Sequence, residues 1–195
     1  NLASIFYNGQ LLTGSRHTNN PIALSKKIFE TFIKNGGIFI KNNIENINYK
    51  ENLVSLIYNN NEFNFDKVVI CAGSWSNVLT KKIGENFPLD TERGYHVMFD
   101  NYDLINRPVG WSQSGFYLTQ LEEGLRAAGT VEIAGLNKPE NKKRTKMIEN
   151  QARKLLPQLK EVKSTWLGFR PTLPDSLPVI GPSKINKNII YGFGH

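Results

Sequence analysis

Sulfur and histidine are scarce in this sequence. Its 195 residues include one cysteine, Cys71, so no intramolecular disulfide can form and no cysteine cluster can hold a metal. A lone thiol fits a reducing compartment. The three histidines, His17, His96 and His195, stand far apart without the short spacings of metal ligands, so no metal site is expected. No apolar run approaches the roughly 18–20 residues that a membrane-spanning helix needs. The G-x-G-x-x-G turn that cradles a dinucleotide pyrophosphate is missing, as are a P-loop, a G-x-S-x-G elbow and a paired-histidine motif. The chain starts at Asn1 with no basic-then-apolar leader, and the expectation is a cut or processed piece of a longer protein.

What is present is the material of a globular fold. Hydrophobic residues make up 39% and charged residues 21%, which excludes disorder and allows a real core. The 24 basic residues outnumber the 17 acidic ones, giving a net charge of +7. Such a balance raises the question of a nucleic-acid partner, but Lys far outnumbers Arg and the basic residues are scattered. The one dense run, Lys142, Lys143, Arg144 and Lys146, falls on a predicted helix start and reads as a solvated face. No nucleic-acid partner is expected.

Asn20-Pro21 reads as a helix start, with Asn capping free amides and Pro fitting the first turn. Leu24, Ile28 and Phe32, flanked by Phe29 and Ile33, give that helix an apolar face, and Asn35-Gly36-Gly37 ends it. Ile38, Phe39 and Ile40 then suggest a short buried strand. Residues 43–65 alternate apolar and polar around Asn-rich turns, as a small antiparallel meander does. The run Val68-Val69-Ile70-Cys71-Ala72-Gly73 is apolar on both faces, as in a central strand, with a helix following over 75–83. Beyond Pro88, longer strands are expected at 95–99, 115–120 and 125–133. An amphipathic helix follows, with Ile148, Ala152, Leu155 and Leu159 on its apolar side. Strands at 166–170 and 188–191 close the chain. The expected class is α/β (α+β).

Two stretches could carry chemistry. Small residues at Ala72-Gly73, ending a buried strand, let a ligand approach the backbone, though such a turn also needs Gly merely to pack. Arg170 opens the Pro-rich path from Arg170 to Gly181. Its guanidinium could clamp a carboxylate through two parallel hydrogen bonds, or pair with Asp175 to hold the loop. Tyr95, Trp111 and Tyr117 lie on strands, where aromatics are more often core than site.

The strings VVICAGSWS, ERGYHVMF, LRAAGTVEIAGL, WLGFRPTLPDSLPVIGPS and NIIYGFGH occur in that order. Together they resemble the D-amino-acid oxidase superfamily of FAD-dependent oxidoreductases, with its D-amino-acid dehydrogenase branch nearest in wording. The resemblance implies part of a Rossmann-like FAD-binding domain plus a mainly antiparallel substrate-binding sheet domain. Residues 1–20 would be a connecting segment, 21–86 part of the FAD domain, 87–163 the substrate domain and 164–195 a return to the FAD domain. Without the glycine fingerprint, this stretch alone would be expected to bind flavin poorly.

By the same resemblance, the backbone at Ile44 would lie against the adenine and Ala72 and Gly73 would line the FAD, with Trp75 packed below them. Gly194 and His195 would start the segment beside the isoalloxazine ring. Arg170 would bind the substrate carboxylate, and Tyr117 would reach the substrate. The implied reaction is hydride transfer from an amino acid Cα to FAD. It needs no protein base if the amine binds neutral, and none is assigned. Oxygen or a quinone could reoxidise the flavin. The implied location is cytoplasmic, with peripheral contact at the inner membrane left open. Competing expectations are a glycine, sarcosine or hydroxyproline oxidase of the same superfamily, and a non-catalytic binding module that has lost the flavin.

Overall fold

The computed structural model describes residues 9–14, 16–50 and 53–195. Residues 1–8 and 15 of the expected connecting segment 1–20 lie outside the described residues. The chain is of mixed α/β class and divides into two compact units. One comprises residues 1–38, 94–131 and 139–168; the other comprises 39–93, 132–138 and 169–195.

In the first unit, helix α1 spans Pro21–Lys34, and its cap forms as the sequence suggests: Asn20 Oδ1 accepts from the Ala23 N–H at 2.8 Å. No residue of α1 is buried, however. Its apolar side is exposed at Ile28, Phe29 and Phe32. The core lies elsewhere in this unit. Strands β5 (Asp90–Phe99), β6 (Val109–Trp111), β7 (Phe116–Leu121), β8 (Gly124–Ile133) and β9 (Val162–Thr172) form a sheet of order β6-β7-β8-β5-β9. Alternation along β5 and β7 turns Tyr95, Val97, Phe99, Phe116 and Leu118 to one side. Helix α3 (Lys142–Leu155) packs Ile148, Ala152 and Leu155 onto the same cluster. Fully burying a Leu or Ile side chain contributes about 1.5–3 kcal/mol. The basic run is, as expected, the first turn of α3, but Arg144 is not merely solvated: it donates to the Val131 carbonyl at 2.9 Å and to Thr130 Oγ1.

The second unit holds two three-stranded sheets. The expected meander is β1 (Asn46–Lys50), β2 (Leu53–Tyr58) and β3 (Asn61–Phe65), paired antiparallel. The other sheet has the order β10-β11-β4, from Val179–Pro182, Ile189–Phe193 and Val68–Ile70. Strand β11 runs parallel to β4 and antiparallel to β10. Two local expectations fail here and nearby. Ile38, Phe39 and Ile40 form no strand and are exposed; among the described residues no strand pairs with them. Among the described residues β4 is an edge, not a central strand, and Val69 on it is exposed. The helix expected over 75–83 is a composite: a 3-10 turn at Gly73–Trp75, α2 at Ser76–Thr80, and a second 3-10 turn at Lys81–Ile83. No helix among the described residues is long and apolar enough to cross a membrane.

Candidate functional site

The end of β4 leads through Cys71 and Ala72 into a tight turn. Gly73 there has φ +54, a left-handed conformation that favours glycine, and a Cβ added to it would meet no atom within 4 Å. The turn is tied down by Ser74, whose hydroxyl donates to the Phe169 carbonyl at 3.0 Å. Trp75 follows, half exposed, with its ring edge-on to Phe169 at 5.5 Å and 63°. The small residues at Ala72-Gly73 thus leave open space above a fixed backbone at the carboxyl end of a parallel strand pair.

Phe169, inside the string WLGFRPTLPDSLPVIGPS but without a role assigned from sequence, is a hub. On it lies the Arg93 guanidinium, 5.8 Å from the ring centroid. Arg93 is fully buried, with its Nη1 3.9 Å from Glu132 Oε2, while Lys138 approaches the other oxygen of Glu132 at 3.7 Å. The available signal was parity: Arg93 shares its strand face with Thr91 and Tyr95, both buried.

Arg170, next along β9, is exposed, and its Nη1 lies 3.6 Å from Glu92 Oε2. The loop-holding partner considered from sequence, Asp175, instead accepts from the Leu177 N–H at 3.0 Å and shapes its own turn. At the other end of the chain, Gly194 has φ +91, and a Cβ on it would come 2.2 Å from Leu173 Cδ1. Glycine is required there by the packing of Leu173. His195 is exposed, and Ile44 is half-buried against the core of the unit.

These seven positions, Ile44, Ala72, Gly73, Trp75, Arg170, Gly194 and His195, belong to the second unit. Tyr117 belongs to the first. It is 63% exposed on β7, too open to be a core aromatic, and its ring covers Gly110 on the neighbouring strand.

A cleft of about 410 Å³ in the second unit involves none of these residues. Its walls include Glu85, Phe87, Val179, Lys184 and Tyr191. Glu85 Oε2 accepts from both the Ser183 and the Tyr191 hydroxyls. Burial pushes the Tyr191 phenol up to about 12, and its bond to Glu85 adds to the shift. Burial alone would raise Glu85 as well, but the hydrogen bonds from Ser183, Tyr191 and the Lys184 N–H override it and hold the carboxyl below its ordinary range.

FAD needs flat, uncrowded backbone at strand ends and a phosphate-binding turn. The open Gly73 turn and the parallel β4–β11 pair fit the first requirement. Residues for the second are not in this sequence.

The comparisons with known proteins agree with that partial fit. The family model for FAD dependent oxidoreductase (DAO) matches residues 3–195. A D-amino-acid oxidase of Bradyrhizobium diazoefficiens is 39% identical over 149 residues, 73% of this chain and 35% of that protein. A D-amino acid dehydrogenase of Vibrio vulnificus is 29% identical over 96% of this chain and 46% of its own length. Among solved structures, glycine oxidase from Bacillus cereus superposes with a TM-score of 0.75 at 25% identity, over 88% of this chain and 49% of that one. The chain therefore spans between about a third and a half of the curated relatives it matches. With its fold, its open turn at Gly73 and a family match along nearly its whole length, this chain belongs to the FAD-dependent oxidoreductases of the D-amino-acid oxidase family.

Proposed function

We propose that this chain is part of a flavoenzyme that oxidises D-amino acids at the Cα–N bond. The observation that carries the reading is the 39% identity to a protein named D-amino-acid oxidase, over 149 residues that make up 73% of the chain. In this reading, residues 21–86 and 164–195 serve the flavin and 87–163 serve the substrate. Ala72, Gly73, Trp75, Gly194 and His195 line the FAD, and Ile44 lies against its adenine. When bound, FAD supplies the hydride acceptor. The chain's own residues position the substrate. Arg170, exposed and held on one nitrogen by Glu92, offers the rest of its guanidinium to a carboxylate. Tyr117, also exposed, offers a hydroxyl to the substrate. Catalysis of this kind rests on orientation more than on a protein base. In this reading the protein works in the cytoplasm or at the surface of the inner membrane, with oxygen or a quinone as final acceptor.

A second reading, oxidation of glycine or a related secondary amine, is favoured by the likeness to glycine oxidase. One experiment separates the two. The protein, loaded with FAD and kept anaerobic, is mixed with D-amino acids, glycine and sarcosine while flavin absorbance is followed. Bleaching by D-amino acids supports the first reading. Bleaching by glycine or sarcosine alone supports the second, and a flavin that no amine bleaches removes both.

A further inference from the structure

The sheet of the first unit has two unlike faces. One is the apolar core under α3. On the other, four side chains lie on successive strands in the order β7-β8-β5-β9: Tyr117, Arg126, His96 and Trp166. Cross-strand register establishes the shared face. Thr119 is opposite Arg126 and Tyr117 is opposite Ala128, two residues along each strand, so Tyr117 and Arg126 point to the same side, and the contacts of His96 with Arg126 and Trp166 bring the other two to it. His96 lies within electrostatic reach of Arg126 and stacks on Trp166, with ring centroids 5.0 Å apart and planes 19° apart.

Both outer aromatics lie across glycine. A Cβ on Gly110 would meet the Tyr117 ring at 2.6 Å, and one on Gly168 would meet the Trp166 indole at 1.9 Å. Glycine at these two positions lets each ring lie flat, so the aromatics form low walls and leave the middle of the face to Arg126 and His96.

Arg126 is the unusual member. Its Nε is shielded from solvent yet donates to nothing, and no carboxylate among the described residues pairs with its guanidinium. A shielded, unsatisfied donor on a cation is costly unless something completes it. Farther along the same alternation, Glu92 and Arg170 are charged but pair with each other at 3.6 Å, which leaves the Arg126 charge without a partner carboxylate. Burial, with Arg126 adding to it, pushes His96 down to about 4, so the imidazole is a hydrogen-bonding group and not a second cation. A planar anion set between two aromatic walls, one oxygen on the guanidinium and one near the imidazole, meets all of these conditions.

We propose that Arg126 binds a carboxylate of the substrate on the sheet face between Tyr117 and Trp166, with His96 as its hydrogen-bonding neighbour. This rests on the amino-acid-oxidising reading above and adds a carboxylate-binding residue to which the resemblance assigned no role.

The test uses 3-phenylpropionate, which carries the carboxylate and a ring but no amine to oxidise, and its uncharged amide. Each is titrated into the FAD-loaded protein and into the flavin-free chain while the His96 imidazole proton signal is followed by NMR, assigned by its loss in His96→Gln. The carboxylate is expected to shift that signal and the amide to leave it in place. Arg126→Gln should weaken the carboxylate by at least about tenfold, as expected for losing a charge-assisted pair, and Arg126→Lys by less. Arg126→Lys keeps the charge and serves as the folded control, and melting curves of both variants check the fold. Equal binding of acid and amide, equal affinity in Arg126→Gln, or no shift up to the solubility limit would each overturn the proposal. Because binding is read without turnover, a carboxylate-dependent shift in a protein whose flavin no amine bleaches keeps the anion site and removes only the oxidase reading.

Discussion

The Tyr191 hydroxyl donates to Glu85 Oε2, joining β11 to the turn that follows Gly84. The Ser183 hydroxyl donates to the same oxygen, so one carboxylate gathers donors from two further segments. Such a knot ties the central strand β11 and the end of the edge strand β10 to the Glu85 turn. Tyr191→Phe keeps the buried ring against Phe87 and Phe193 and removes only the donor. It should cost about 1–2 kcal/mol in urea denaturation, since a charged acceptor loses one partner. A midpoint equal to that of the parent protein would show that Ser183 alone satisfies Glu85.

The two histidine states give a pH signature of known sign. The His96 pKa falls from its ordinary 6.5 to about 4 in the folded protein. Between those values the unfolded chain binds a proton that the folded chain does not, so stability falls as pH drops from about 6.5 towards 4 and is flat for this group above 6.5. Urea midpoints measured across that window should decline less steeply in His96→Gln. Parallel declines in the two proteins would mean that His96 titrates normally. Because the ring is only half-buried, the effect is smaller than the shift alone would suggest.

Two glycines that look alike in sequence separate sharply on substitution. Gly194→Ala must force a Cβ against Leu173 at a positive φ, and should destabilise by at least about 2 kcal/mol. Gly73→Ala meets no atom and bears only the left-handed backbone cost of about 1 kcal/mol. Its larger effect should appear as weaker FAD binding, measured by flavin fluorescence. Unchanged flavin affinity in Gly73→Ala would take the turn out of the cofactor site.

Helices α1 and α3 test the value of an apolar stripe. Leu155→Ala in α3 should cost about 2–5 kcal/mol, since the residue is fully buried. Ile28→Ala in α1, at an exposed position, should change thermal stability by no more than about 0.5 kcal/mol in the 195-residue chain. A large loss in Ile28→Ala would show that α1 packs in solution against something.

That contrast also shows what sequence reading can and cannot deliver. Periodicity and capping residues are local, so Asn20-Pro21 and the stripe of α3 announce their helices, and Asn59-Asn60 announces the turn of the meander. Burial is not local. The stripe on α1 carries the same signal as that on α3, yet none of its residues is buried. The strand expected at Ile38–Ile40 fails for the same reason, because a strand exists only where a neighbour supplies its ladder. At the candidate site, the motifs led to Gly73 and Arg170, whose local strings are distinctive. Arg93, Arg126 and Trp166 lie in equally distinctive strings but received no role, because their meaning lies in what faces them across strands: a buried carboxylate, an unpaired donor, a stacked imidazole.

Helix α1 is anchored near its first turn, where Asn20 Nδ2 donates to Glu122 at 2.6 Å and the Glu122 N–H donates to the Asn19 carbonyl at 3.1 Å. Fourteen residues are close to the shortest length at which a helix persists in water without tertiary support. Amide hydrogens from its later turns should therefore exchange with deuterium oxide ahead of those in β7, β8 and α3. Trypsin, which cuts after Lys26, Lys27 and Lys34, should find its first cleavage points here and leave a resistant remainder built on the sheet and α3.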